Sequence, residues 1–332
     1  EDDKTTFTRD GNDYQVYLDP GAPWLIDTTS GGMDTEAYQW GFSMVAKWSS
    51  HLSPSDEVML DISPASIGNV SDDNYPETFD QYKAFYDFDN GGDIGQGHTM
   101  NPNTGQPYVL NMVRRGDYAR VLAEFWADGP DSETPPGHWF TLTNYVSDHP
   151  DFERKYRGEG EAIDQLEWDV KAYLIMGGAM HDCAIAAWGV KGWYDYLRPV
   201  SAIRYMCQKG QSSFPNQPNY NVAGIPLTDG FIEVIDDMND PLADSGANMG
   251  KIKINTWKGP EYIDNPDTDE AGVDWILAED WWPYQRPSFV TPPFAGYVSG
   301  HSTFSRAAAE VLTKITGDAF FPGGIGSFEA KK

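Results

Sequence analysis

The sequence predicts a mainly α fold, and three observations carry the prediction. Apolar residues recur at three-to-four spacing over long stretches, alternating strand-like patterns are few, and the helical stretches are separated by long loops dense in turn-forming residues. The first helix is expected in "DTEAYQWGFSMVAKWSSHL" (34–52) and a second in "YARVLAEFWAD" (118–128), both with an apolar stripe. A third, longer one is expected from Gly160 to about Val190, and Pro199 is placed to open a further segment, since proline suits the first helical turn. The last begins at Ser302, where Phe304, Ala307, Ala308, Val311, Leu312 and Ile315 keep helical spacing, and Gly317 supplies a C-terminal stop. Between them run the loops 87–108, 208–230 and the Trp- and Pro-rich 280–296. Loops of that length in a helical domain usually shape a site.

The chain has 332 residues, 40% hydrophobic and 14% aromatic, enough for a buried core and too apolar for a disordered chain. With no linker, repeat or low-complexity tract dividing it, residues 1–332 are expected to form a single helical domain. No apolar run approaches the roughly 20 residues of a membrane span, so a soluble protein without membrane partners is expected. The net charge of −28, from 51 acidic and 23 basic residues, opposes binding to nucleic acid and to anionic lipid. An anionic ligand would need clustered positive groups working against that field. Cys183 lies in an apolar helical stretch and reads as a buried free thiol; Cys207 is the only other cysteine, and a disulfide or zinc site has little support. "NVS" at Asn69 fits a glycosylation sequon, and a mature exported protein would carry no signal peptide, so periplasmic or extracellular location stays open.

Two features imitate metal sites. Asp87, Asp89 and Asp93 resemble the start of a calcium-binding loop, but Gly91 stands at a ligand position and His98 where the closing Glu would be. His181 and Asp182 are adjacent in an apolar helix and point in different directions, which favours a hydrogen-bonded core histidine beside a structural carboxylate over a metal pair.

The positive cluster lies in "WGVKGWYDYLRPVSAIR" (188–204). Lys191 and Arg198 are seven apart, nearly two helical turns, which would put both on one face about 10 Å apart along the axis. Trp188, Trp193, Tyr194, Tyr196 and Leu197 surround them with apolar bulk, and cations among aromatics need an anionic partner to offset desolvation. A second cluster, "GYVSGHSTFSRAAAEVL" (296–312), sets Ser299, Gly300 and His301 at a helix N-terminus. There the unpaired N–H groups and the dipole favour an anion, Gly300 permits close approach, Ser299 adds a hydroxyl donor, and His301 can exchange a proton near neutral pH.

Lys-x6-Arg-Pro followed by Ser-Gly-His resembles the vanadium-dependent haloperoxidase and type 2 phosphatidic-acid phosphatase superfamily. Lys191, Arg198 and Pro199 match its first motif in full; Ser299, Gly300 and His301 match the second, with Val298 in place of the usual Pro. "NPNTGQPY", "RGDYARVLAEFWADGPDSETPPGHW" and "GYVSGHSTFSRAAAEVLT" look like bacterial haloperoxidase-type members, so the likeness spans most of the chain. The resemblance implies a helical bundle of the haloperoxidase and acid phosphatase type with long irregular loops, its anion-site helices at about 160–207 and 299–316. It implies a site that grips vanadate, or phosphate in its place, with hydrogen peroxide, a halide and an organic acceptor as reactants. Lys191, Arg198, Ser299 and the Gly300 N–H would bind the oxyanion and withdraw charge from it, and His301 would act as acid–base. Trp188 and Phe294 match the halide-side aromatics of chloroperoxidase-like members.

The family's third motif, Ser-Arg-x5-His-x3-Asp, carries a second arginine and the histidine that bonds directly to vanadium. It has no counterpart: "SR" at 305–306 is too close to His301, and no histidine follows His301. The expectation is a longer protein of which this is the larger N-terminal portion. The chain alone would then bind vanadate weakly without turnover, and an apolar groove beside the last helix would receive the missing segment or a second chain, a homo-oligomer included. A soluble acid phosphatase using the same pocket, and a catalytically silent anion-binding or assembly protein, are the alternatives to a haloperoxidase.

Overall fold

The computed structural model describes residues 5–16, 19–68, 74–92, 95–126, 133–289 and 291–326. The chain opens with a hairpin of β1 (Thr5–Arg9) and β2 (Asn12–Val16), then α1 (Met33–Ser49), β3 (Met59–Asp61), α2 (Phe79–Phe85), a short β4–β5 ribbon (Tyr86–Asp87 and Gly91–Gly92) and β6 (Met112–Arg114). There follow α3 (Arg115–Trp126), α4 (Pro135–Asp148), α5 (Gln165–Tyr194), α6 (Pro199–Cys207), an antiparallel sheet of β7 (Ile232–Val234), β8 (Ile252–Trp257) and β9 (Val273–Leu277), and finally α7 (Gly300–Thr316). The fold is mainly α. Among the described residues no helix is long and apolar enough to cross a membrane.

Helix ends follow local chemistry. Asp164 caps α5 by accepting the Glu167 N–H at 3.1 Å, and Thr134 caps α4 by accepting that of Gly137 at 3.3 Å. The Ser299 hydroxyl accepts the Ser302 N–H at 3.2 Å to start α7. Gly317 ends α7 in the left-handed region at φ 77°, where an ideal Cβ would lie 2.3 Å from the Arg157 carbonyl oxygen, so the position demands glycine for both conformation and space.

Two cores result. In one, Tyr38 and Ala46 of α1 and Ile203 and Met206 of α6 pack on Ile232, Ile252, Ile254 and Ile276 of the sheet. Residue spacing does not signal that sheet, because its strands lie between turn-rich segments and β7 is only three residues long. In the other, α4, α5 and α7 form a bundle around Met176, Met180, Phe304 and Ala308, extended by Trp168, Ala172 and Ile315. Polar bonds lock it: the Trp168 indole donates to Ser147 Oγ at 2.9 Å, and the Trp139 indole to Ser305 Oγ at 3.2 Å. A cleft of about 790 Å³ runs beside α7, lined by Trp139, Val146, Phe152, Leu312, Phe320 and Phe321 among others.

Three expectations need correction or bounds. His181 is not a core histidine: its side chain is 73% exposed and that of Asp182 85%. Helix α5 shows little segregation of apolar from polar residues around its circumference, so the wheel does not reveal which face is left open. Cys183 is only half-buried, its thiol facing the Thr303 carbonyl, whereas Cys207 is buried; both are free. Of the calcium-loop residues, Asp93 lies outside the described residues, as does Asn69; the Asp87 carboxylate accepts the N–H groups of Asp89 and Asn90.

Candidate oxyanion site

Lys191 occupies the last turn of α5, and Arg198 is the residue just before α6. They do not share a helix face as their spacing suggested. Asp195 turns left-handed at φ 45°, ψ 43°, α5 ends there, and the extended backbone of Arg198 leads into Pro199. The two side chains meet by another route. Lys191 Nζ donates to the Ala295 carbonyl at 2.7 Å, and Arg198 Nε donates to that of Phe294 at 2.8 Å. The Gly296 N–H returns a bond to the Tyr196 carbonyl at 2.8 Å. Gly296 is required here by proximity, since an ideal Cβ would stand 2.8 Å from the Leu197 oxygen.

The Phe294 ring sits between the cations, its centroid 5.2 Å from Lys191 Nζ and 4.9 Å from Arg198 Cζ. Trp188 lies beside it, centroids 5.2 Å apart and rings inclined at 53°. Lys191 is 4% exposed. Burial, and next the Arg198 charge, lower its pKa from 10.5 to about 8; burial also lowers that of Arg198. Among the described residues no carboxylate forms an ion pair with either side chain. In a chain of net charge −28, two part-buried cations held only by carbonyl dipoles and aromatic faces mark a place suited to an anion.

The second cluster abuts the first through Trp188. An ideal Cβ on Gly300 would lie 3.1 Å from two atoms of the Trp188 ring, so a glycine is what lets that ring rest on the first turn of α7. Ser299 and His301 flank Gly300; the Ser299 oxygen serves as helix cap, and its hydroxyl hydrogen remains available to donate. The Gly300 N–H belongs to the first turn, where no intrahelical acceptor exists. Lys191, Arg198, Trp188, Phe294 and Gly300 are thus joined by direct contacts, with Ser299 and His301 at the same helix start. Between them the two clusters offer an ammonium, a guanidinium, a hydroxyl and a backbone N–H, the donor types a tetrahedral oxyanion takes.

The sequence did not disclose the carbonyls of Phe294, Ala295 and Gly296. Main-chain acceptors leave no residue-type signature, and the closest signal was the turn-rich character of 280–296. Among the described residues no group of three His, Cys, Asp or Glu side chains is placed to hold a metal ion. Residues 171–331 match the family model of the VCPO second helical-bundle domain, a span that contains every residue of the two clusters. No curated protein and no solved structure matches the chain.

Proposed function

Because the chain belongs to the vanadium haloperoxidase-like family, we propose that its paired cations and the N-terminus of α7 hold vanadate in an enzyme that oxidises halide with hydrogen peroxide. The observation that carries this reading is the Lys191–Arg198 pair gathered on one strip of carbonyls, with no carboxylate among the described residues ion-paired to it. Lys191 and Arg198 supply compensating charge, and the Ser299 hydroxyl and Gly300 N–H add neutral donors. His301 brings an imidazole to the same turn and moves the proton that peroxide must lose. Trp188 and Phe294, 41% and 39% exposed, form an apolar wall for halide or for the organic acceptor. What the bound group supplies is Lewis acidity that polarises peroxide toward halide.

The only imidazole among the residues named here is that of His301, which serves as acid–base. On this reading the 332 residues bind the oxyanion, and turnover requires an imidazole supplied in addition. The test measures vanadate binding, vanadate-dependent bromide oxidation and phosphate-ester hydrolysis on the same preparation. Saturable vanadate binding that Arg198→Ala weakens, without bromide oxidation, is the expected result. Robust oxidation by these residues alone would show that the metal ligand has been misplaced. Ester hydrolysis without halide oxidation from a preparation with the additional imidazole would assign a phosphatase instead.

A further inference from the structure

We infer that the strap 19–24 near the start of the chain is a positioning element of the oxyanion site, coupled to it through the hydroxyls of Tyr194, Tyr196 and Tyr297. The inference rests on the reading of Lys191 and Arg198 as an oxyanion site. Each tyrosine belongs to a segment that forms the cation clasp. Tyr194 is the last residue of α5, about one turn beyond Lys191. Tyr196 lies between Lys191 and Arg198, and its carbonyl accepts the Gly296 N–H at 2.8 Å. Tyr297 follows Gly296, whose own carbonyl faces Lys191 Nζ at 3.5 Å. The rings support one another: Tyr297 meets Tyr194 at a centroid distance of 5.7 Å and Tyr196 at 6.2 Å, edge to face in both cases.

All three hydroxyls donate to the strap. Tyr194 donates to the Asp19 carboxylate at 2.5 Å, Tyr297 to the Gly21 carbonyl at 3.1 Å and Tyr196 to the Trp24 carbonyl at 2.8 Å. The strap is thus held at its start, middle and end. Pro20 and Pro23 stiffen it, and the Asp19 carboxylate also accepts the Gly21 N–H at 3.0 Å. At its far end the Trp24 ring packs edge-on against Phe79 and Tyr82. Residues 19–22 are exposed, so hydrogen bonds rather than apolar burial hold that half in place. The coupling has a physical cause. The Lys191 and Arg198 charges repel each other, and after burial that repulsion is what lowers the Lys191 pKa. A bound oxyanion offsets the repulsion and draws together the two ends of the turn that carries Tyr194 and Tyr196. Their hydroxyls, and that of Tyr297 packed on both, are then held more firmly against the strap. By linkage, a strap that favours oxyanion binding is itself favoured by binding to the same factor.

Hydrogen exchange of the peptide spanning 19–26, read with and without sulfate at constant ionic strength, tests this together with calorimetric sulfate titration. In the parent protein sulfate should slow exchange at the Gly21, Ala22 and Trp24 amides. Tyr194→Phe and Tyr297→Phe should each weaken sulfate binding by about 2- to 13-fold, the net worth of a typical hydrogen bond, and reduce that protection. Asp19→Ala should match Tyr194→Phe, with no further loss when the two are combined, whereas Asp19→Asn keeps an acceptor and should stay near the parent. A purely structural strap would shift urea unfolding in these variants and leave their sulfate affinity at the parent value, which overturns the inference. The parent protein decides even where a variant fails to fold: sulfate binding with strap exchange unchanged overturns the coupling alone. No sulfate binding by the parent overturns the oxyanion reading, and the coupling with it.

Discussion

Sulfate affinity should fall as pH rises through about 8, and Lys191 is the reason. The perturbation is deprotonation of a buried amine whose pKa is lowered from 10.5 to about 8, first by burial and then by the Arg198 charge. Sulfate remains a dianion throughout the range, so the ligand does not titrate. Below about 8 the site presents two cations; above it, binding must first recover a proton, and affinity falls about tenfold per pH step of one. The total fall is bounded by the worth of one charge-assisted hydrogen bond, about 1.5–3 kcal/mol, or about 10- to 150-fold. Isothermal titration calorimetry between pH 6.5 and 9.5 reads it, and in Lys191→Met the step should vanish. The groups that face the amine are Arg198 and the carbonyls of Ala295 and Gly296, which do not titrate in that range. A matching signature belongs to folding. Between about 8 and 10.5 the unfolded chain holds one proton more than the folded one, so stability rises with pH across that window, by about 3 kcal/mol at most. The same quantity is what Lys191→Met should gain at neutral pH. A flat sulfate profile in the parent protein, together with unimpaired binding by Lys191→Met, would refute the reasoning.

Three further outcomes follow from the geometry. In a preparation that oxidises halide, His301→Ala should chiefly lower turnover, whereas Arg198→Ala should raise the vanadate needed by about 10- to 150-fold, and vanadate titration of both separates the effects. Ser147→Ala leaves the buried Trp168 indole N–H without its 2.9 Å acceptor and should cost about 1–3 kcal/mol in urea unfolding. Asp195→Gly relieves a left-handed residue at φ 45° and should gain about 1 kcal/mol in the same assay, with oxyanion affinity preserved because the turn geometry is unchanged.

Much of the helical frame could be read from the chain. The stop at Gly317, the start at Pro199 and the stripe of α7 are encoded in residue type and spacing, and each sits where those signals place it. Helix α4 gives no clear spacing signal although Thr134 and Pro135 mark its start, because its apolar positions are interrupted by His138, Thr141 and Thr143. The sheet of β7, β8 and β9 escaped because strands this short gain their order from packing on α1 and α6, a long-range effect no local window contains. At the site, residue types singled out Lys191 and Arg198, and the structure brings the two together by a route other than the one their spacing suggested. A shared helix face was expected, whereas Asp195 breaks the helix and the chain brings Lys191 and Arg198 together on backbone oxygens.

Those backbone oxygens carry a compositional consequence. A carbonyl dipole steadies a cation without cancelling it, so the pair stays attractive only while no acid moves in beside it. From Trp281 to Ala309 the sequence contains no Asp or Glu at all, although 51 are spread over 332 residues. The segment that clasps the cations and the helix start that follows it are thus a quiet zone in an otherwise acidic chain. A single carboxylate introduced at Ala295 would act as a built-in competitor, occupying the place meant for a visiting anion.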